Sequence, residues 1–207
     1  MRWMDFVANV QQWAAERGIY EHSTALAQVA KMHTESAELV DAIYGGGDKR
    51  LIADAVGDMC VCAVNVSYMS IGDAPNTPIE LPWELSKEEI WMTISEEILY
   101  SARRYQKDEP LGVHHGASVA VSYAKALAKQ HYGIPFEHCL QVAWDAIKDR
   151  KGRMVEGGVF VKEESSAEQR LAELKAEIAE LEDQLEAIGA GGVTRGQKLI
   201  RNKRGEK

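Results

Sequence analysis

The chain has 207 residues, room for one good-sized domain and an appendage, and at 45% hydrophobic residues it can bury a real core. Its formal net charge of -8 excludes the body as a nucleic-acid-binding surface. The three cysteines, Cys60, Cys62 and Cys139, form no disulfide framework and suit a reducing cytoplasm. On one helix Cys60 and Cys62 point to different faces, which argues against a C-x-C metal pair. The opening stretch, MRWMDFVANVQQW, lacks the apolar core and small-residue cleavage site of a secretion signal. The longest uncharged run, Met59 to Gly72, is short for a bilayer and suits a buried helix. The expectation is a cytoplasmic protein with no membrane partner.

The signals are helical nearly throughout. A first helix is expected from about Met4 to Arg17, stopping near Gly18. A second begins at the cap HST and ends at Gly45-Gly46-Gly47. A third covers about Lys49 to Ile71. The stretch GDAPNTPIELP holds three of the five prolines and reads as a surface loop. A fourth helix opens on Ser86-x-x-Glu89, a capping-box pattern, and runs to about Tyr105. A fifth covers about His115 to Tyr132 and ends at Gly133. Pro135 suits the first turn of a sixth, which is expected to end near Gly152. The segment GGVFVKE reads as extended. With no run of alternating strands, residues 1–163 are expected to form an all-α bundle.

From Ser165 the composition changes. Leu171, Leu174, Ile178, Leu181, Leu185 and Ile188 alternate at spacings of three and four, an a/d seam of about two and a half heptads between charged flanks. Residues 164–189 therefore read as a coiled-coil-like helix, either self-associating or packed on the body. Residues 190–207 form a glycine-rich and then basic tail carrying Arg195, Lys198, Arg201, Lys203, Arg204 and Lys207. A solvated, disordered end is the plain reading; weak, salt-sensitive contact with nucleic acid is the other.

Chemistry concentrates in two neighbouring helices. Gln28, Lys31, Glu35 and Glu38 follow spacings of three, four and three, so they share one stripe, with Leu26, Val29, Val40 and Ile43 away from it. On the next helix Asp54 and Asp58 share a face, and Asn65 lies about two turns beyond Asp58 on that face. Past Asp58 the sequence MCVCAVNVSYMSI is apolar nearly all round, which makes this helix central. Acids on a central helix are costly unless paired or bound to a cation. A short connection makes the two helices antiparallel, so two acids from each converge. Oxygen-rich clusters of this kind suit Mg²⁺ or Mn²⁺, and Mg²⁺ binds substrate phosphates. The competing account is a buried salt-bridge network centred on Lys31.

The segments W…RGI…HSTALAQVAKMHTESAEL, DAVGDMCVCAVNV and CLQVAWDAIKDRKGRMVEGGVFVKE, in that order, resemble the MazG-like nucleotide pyrophosphohydrolases, and most closely their single-domain, phage-type members. The resemblance covers about Val7 to Glu163. It implies an all-α enzyme that uses Mg²⁺, or Mn²⁺, to cut a nucleoside triphosphate, ribo or deoxy, into its monophosphate and pyrophosphate. The family pattern is E-x-x-E on one helix and E-x-x-D on the next. Glu35 and Glu38 match the first motif, and Asp58 matches the end of the second. The family glutamate three residues before Asp58 is Ala55 here, and Asp54, about 40° round the helix from Asp58, stands in for it. The metal set implied is Glu35, Glu38, Asp54 and Asp58, with Glu35 or Glu38 activating a water. Lys31 can reach a phosphate oxygen. Lys148 and Arg150, in the basic end IKDRKGR of the sixth helix, are implied phosphate contacts; Lys151 and Arg153 share that end, whose charge also complements the helix dipole.

The resemblance further implies a homo-oligomer, dimer or tetramer, and, for a phage-encoded member, the host cytoplasm as its location. Trp13, Trp91 and Trp144 read as core, and His33, His114 and His115 as surface or core. Glu96 and Glu97 read as a solvated helix face. The alternative function is a catalytically silent helical oligomer that regulates a partner or nucleic acid through its coiled coil and basic tail.

Overall fold

The structure, a computed structural model, describes residues 1–82, 84–155, 159–162, 175 and 178. The chain divides into two units, Met1–Glu163 and Glu164–Lys207, and the elements below belong to the first. The expected a/d seam and the basic tail lie outside the described residues, except that Lys175 and Ile178 are helical and exposed.

The first unit is all-helical apart from one short hairpin. Its helices are α1 (Trp3–Glu16), α2 (Ile19–His22), α3 (Ala25–Tyr44), α4 (Lys49–Ile71), α5 (Lys87–Gln106), α6 (Pro110–Tyr132) and α7 (Phe136–Ile147). The hairpin pairs β1 (Gly152–Val155) with β2 (Val159–Lys162), antiparallel, with Met154 opposite Phe160.

Side-chain caps start three of the helices. The Thr24 hydroxyl accepts from the Ala27 N–H at 3.1 Å, and the Asp48 carboxylate accepts from the Arg50 N–H at 2.8 Å. Ser86 and Glu89 form the expected capping box, each side chain accepting from the other residue's backbone N–H. Such caps satisfy the orphan donors of a first turn and are worth about 1 kcal/mol each.

Helix α4 is the axle. It packs against α1, α3, α6 and α7, and from Met59 to Ser67 every residue is buried. By length and composition α4 could cross a membrane, but 78% of its most apolar window is buried inside the body. The core around it includes Phe6, Val10, Met32, Leu39, Ile52, Ile94, Leu127 and Leu140. Full burial of each of the larger side chains contributes about 1.5–3 kcal/mol. Gly57 lets α7 come close: an added Cβ there would stand 2.6 Å from the Ala143 Cβ and press on the Cys139 carbonyl oxygen.

Three boundaries differ from expectation. A one-turn helix, α2, follows Gly18. Helix α6 starts at Pro110 rather than His115, with Pro110 in the first turn, where its missing N–H costs nothing. Helix α7 ends at Ile147, so Lys148, Arg150 and Lys151 sit in the turn after the helix and Arg153 lies in β1. There the Trp13 indole and the Arg17 guanidinium hold the Ile147, Lys148 and Arg150 carbonyls.

Candidate active site

The four-residue connection between α3 and α4 makes them an antiparallel hairpin. The amide nitrogen of Asn65 donates to Gln28 Oε1 at 3.3 Å, and the Tyr20 hydroxyl donates to Asn65 Oδ1 at 3.1 Å. Seven residues further along each helix, in opposite senses, Glu35 lies beside Asp58. The pairing follows from the short turn and from the period that puts residues seven apart on one face.

The acids sense one another. Burial, then the charges of Glu35 and Asp54, push the Asp58 carboxyl up to about 7, with Arg150 and Lys31 pulling weakly the other way. The Glu38 carboxyl is raised by burial, then by Glu35, against Lys31, with Asp54 and a hydrogen bond shared with Glu35 adding to the rise. Glu35 itself is only 3% exposed, and its carboxylate is ion-paired with the Lys31 ammonium one turn back. Burial draws the Lys31 ammonium down, but the hydrogen bond and charge of Glu35, with Cys62 and Glu38 behind them, leave it above its ordinary value. Among the described residues no ion pair is made by Glu38, Asp54 or Asp58. The Lys31 ammonium therefore ion-pairs with one acid of the four and acts on Glu38 and Asp58 only through its charge.

Two cavities flank the cluster. The larger, about 410 Å³, is lined at its charged end by Lys31, Glu35, Asp58 and Arg150. Gln28 and Asn65 line it two helical turns further on, and Trp13, Ile19 and Phe160 complete its wall. Trp13 meets Phe160 edge to face, with ring centroids 5.8 Å apart, so the hairpin packs on α1. The smaller cavity, about 290 Å³, is bordered by Glu38, Asp41, Asp48 and Asp54. Cys62 lies in the larger cavity wall, but burial, then Glu35 and Asp58, push its thiol well up. A neutral, buried thiol is neither nucleophile nor ligand.

The donor set fits a hard divalent cation in its chemistry: four carboxylates from two helices, all oxygen, with like charges uncompensated at Asp58 and Glu38. The side chains are not drawn into a finished shell. Among the described residues no group of three or more His, Cys, Asp or Glu is arranged to hold a metal ion. Glu35 is engaged by Lys31, and Glu38 and Asp54 open onto the smaller cavity. A cation here would have to displace the Lys31 ammonium from Glu35.

Of the residues expected from the sequence, Lys31, Glu35, Glu38, Asp54, Asp58 and Arg150 are brought together. Lys148 is not: its ammonium bonds Asp145 at 2.7 Å on the exposed side of the turn, and it does not line the cavity. Trp13 is buried as expected, but it is also a cavity wall. Glu97 is half-buried on α5, and burial raises its carboxyl; it lines neither cavity. His114 is buried beside Asn76, and His33 and His115 are exposed. Sequence reasoning gave no role to Tyr20, Arg17 or Phe160, because nothing local marks a side chain that acts on a distant element. Comparison with family models, with curated proteins and with solved structures finds no match, so the arrangement stands on its own geometry and on the motifs it contains.

Proposed function

We propose that this protein is a Mg²⁺-dependent nucleoside triphosphate pyrophosphohydrolase, releasing a nucleoside monophosphate and pyrophosphate. The observation that carries the reading is the convergence of Glu35, Glu38, Asp54 and Asp58, from two antiparallel helices, beside a cavity with cationic groups at the same end. The cavity wall is mixed: phosphate chemistry suits Lys31 and Arg150, and a flat heterocycle with hydrogen-bonding edges suits the rings of Trp13 and Phe160 and the amides of Gln28 and Asn65.

A bound Mg²⁺, held by Glu35, Glu38, Asp58 and Asp54, would supply charge neutralisation and a Lewis acid for the phosphates. The chain's own groups do the rest. Glu38, or Glu35 once free of Lys31, accepts a proton from the attacking water; burial and the charge of Glu35 raise the Glu38 carboxyl, which makes it the better base near neutral pH. The water oxygen bonds to the α-phosphorus as the bond to the bridging oxygen breaks, and the electron pair leaves on pyrophosphate. Arg150 and Lys31 balance the charge that develops on the phosphate oxygens. The same reading carries the expectation of a homo-oligomer.

The decisive experiment is a screen of ribo- and deoxynucleoside triphosphates with Mg²⁺, measuring pyrophosphate release. Conversion of at least one to its monophosphate is expected. A complete absence of turnover, with binding of a partner or of nucleic acid that vanishes on deleting residues 195–207, would favour the silent-regulator alternative instead.

A further inference from the structure

The turn after α7 is held from the opposite end of the chain. The Trp13 indole donates to the Ile147 carbonyl at 2.8 Å. The Arg17 guanidinium donates to the Arg150 carbonyl at 2.9 Å, to the Lys148 carbonyl at 3.3 Å and to the Trp13 carbonyl at 3.3 Å. It also lies 4.9 Å over the Trp13 ring. Three carbonyls from the last turn of α7 and the residues after it thereby accept from Trp13 and Arg17, across more than 130 positions of sequence, although the Ile147 carbonyl also accepts from the Arg150 N–H at 2.9 Å. A helix C-terminus leaves such carbonyls without intrahelical partners, and most helices satisfy them locally. The Arg17 side chain is 17% exposed, and its one carboxylate contact, the exposed Glu16 at 3.5 Å, does not account for the burial.

What this turn carries is Arg150, whose charge bears on Asp58 and whose side chain lines the charged end of the larger cavity. We infer that Arg17 is a positioning residue: its fork of donors fixes the α7–β1 turn so that Arg150 is presented to the phosphate end of the cavity. The consequence for phosphate binding rests on the proposed function; the clamp itself does not. Planarity is the reason for arginine here. A guanidinium offers five donors in a fixed fork and can hold several carbonyls at once, whereas a lysine ammonium is a point charge on a flexible stem.

The test uses the full chain in four forms, Arg17→Ala, Arg17→Lys, Arg150→Ala and the double Arg17→Ala/Arg150→Ala, beside the unchanged protein. Amide hydrogen exchange is followed over residues 147–152, with residues 52–66 of α4 as the internal control. Tripolyphosphate binding is measured by calorimetry. Arg17→Ala should speed exchange in 147–152 by about tenfold and leave α4 unchanged, since the lost bonds hold the turn and not the core. Arg17→Lys should fall between, and it serves in place of Arg17→Ala if that variant does not fold. Arg150→Ala should leave exchange of the turn near that of the unchanged protein. Tripolyphosphate affinity should fall in Arg17→Ala toward the value for Arg150→Ala, and the double variant should bind no more weakly than Arg150→Ala alone. Unchanged exchange of the turn in Arg17→Ala overturns the clamp. Losses of affinity that multiply in the double variant overturn the link to Arg150. If the unchanged protein does not bind tripolyphosphate, the phosphate reading of the cavity fails, and the exchange arm alone decides the clamp.

Discussion

Two helical hairpins of similar length share this body and use their interfaces in opposite ways. Between α5 and α6 the contact is closed by small residues. Gly116 lets the helices approach until an added Cβ would stand 2.6 Å from the Glu97 carbonyl oxygen. Ala117, Ala120 and Ala124 are fully buried, and the Ser101 hydroxyl lies 3.1 Å from the Glu97 and Val113 carbonyls. Between α3 and α4 the interface instead holds Glu35, Asp58, Gln28 and Asn65 and borders two cavities. Buried carboxylates cost desolvation that packing does not return. The difference separates a hairpin that stabilises the domain from one that gives up stability to hold charge.

The sharpest way to break this comparison is Glu38→Gln. It removes a charge while keeping volume, so pyrophosphate release should fall by about a thousandfold while the melting temperature holds or rises. Undiminished turnover would remove the carboxylates from the chemistry. In the closed hairpin the opposite pattern is expected. Gly116→Ala should destabilise by about 2 kcal/mol through overpacking, read in a denaturant melt, with KM nearly unchanged in the protein that remains folded. A neutral effect on stability would show that the α5–α6 contact is looser than described.

A smaller effect sharpens the comparison on the open side. Saturating Mg²⁺ or Mn²⁺ should raise the melting temperature by mass action, the added stability being about 2.7 kcal/mol at a hundred times the dissociation constant. Asp58→Asn should remove most of that rise and Asp54→Asn less of it, because Asp54 opens onto the smaller cavity. A full metal-induced shift in Asp58→Asn would make these acids structural.

The smallest expected effect is on pH dependence without metal. The Asp58 carboxyl stands at about 7 in the fold against about 3.9 in an unfolded chain. Between those values the folded state binds more protons than the unfolded one, so this group's contribution is fully present below about pH 4 and is lost as pH rises toward 7. After discounting for solvent on its open side, a loss of about 1 kcal/mol is expected. Melts of the unchanged protein and Asp58→Asn from pH 4.5 to 7.5 should diverge in slope, the variant being flatter. Parallel slopes would mean that Asp58 is solvated in the fold.

Helix bounds were legible in the sequence wherever a local device sets them. Asp48 and Gly72 bracket α4 at Lys49–Ile71 as read, and Ser86 with Glu89 starts α5. The two-helix acid cluster was legible for the same reason: the period of the helix and the shortness of the α3–α4 connection together determine which side chains meet. Where a second element intervenes, the reading slipped. Pro110 and Gly112 look like loop residues, yet Gly112 sits inside α6 where the Arg104 stem leaves no room for a Cβ. The basic run IKDRKGR looks like one helix end, yet α7 ends at Ile147 and Trp13 and Arg17 bond the carbonyls of the turn that follows. That divides the run between Lys148, turned to Asp145, and Arg150, turned to the cavity.

By itself, then, the sequence determined the all-helical class, the central place of α4 and the convergence of Glu35, Glu38, Asp54 and Asp58. These follow from periodicity, capping and chain connectivity, which act over a few residues at a time. The assembled fold alone settles that Phe160 packs on Trp13 in the cavity wall and that Arg150 rather than Lys148 bears on Asp58. Each of these depends on which side chain reaches a group more than a helical turn away or on another element. Packing, desolvation and the demand of unpaired carbonyls settle that choice only once the whole body is assembled.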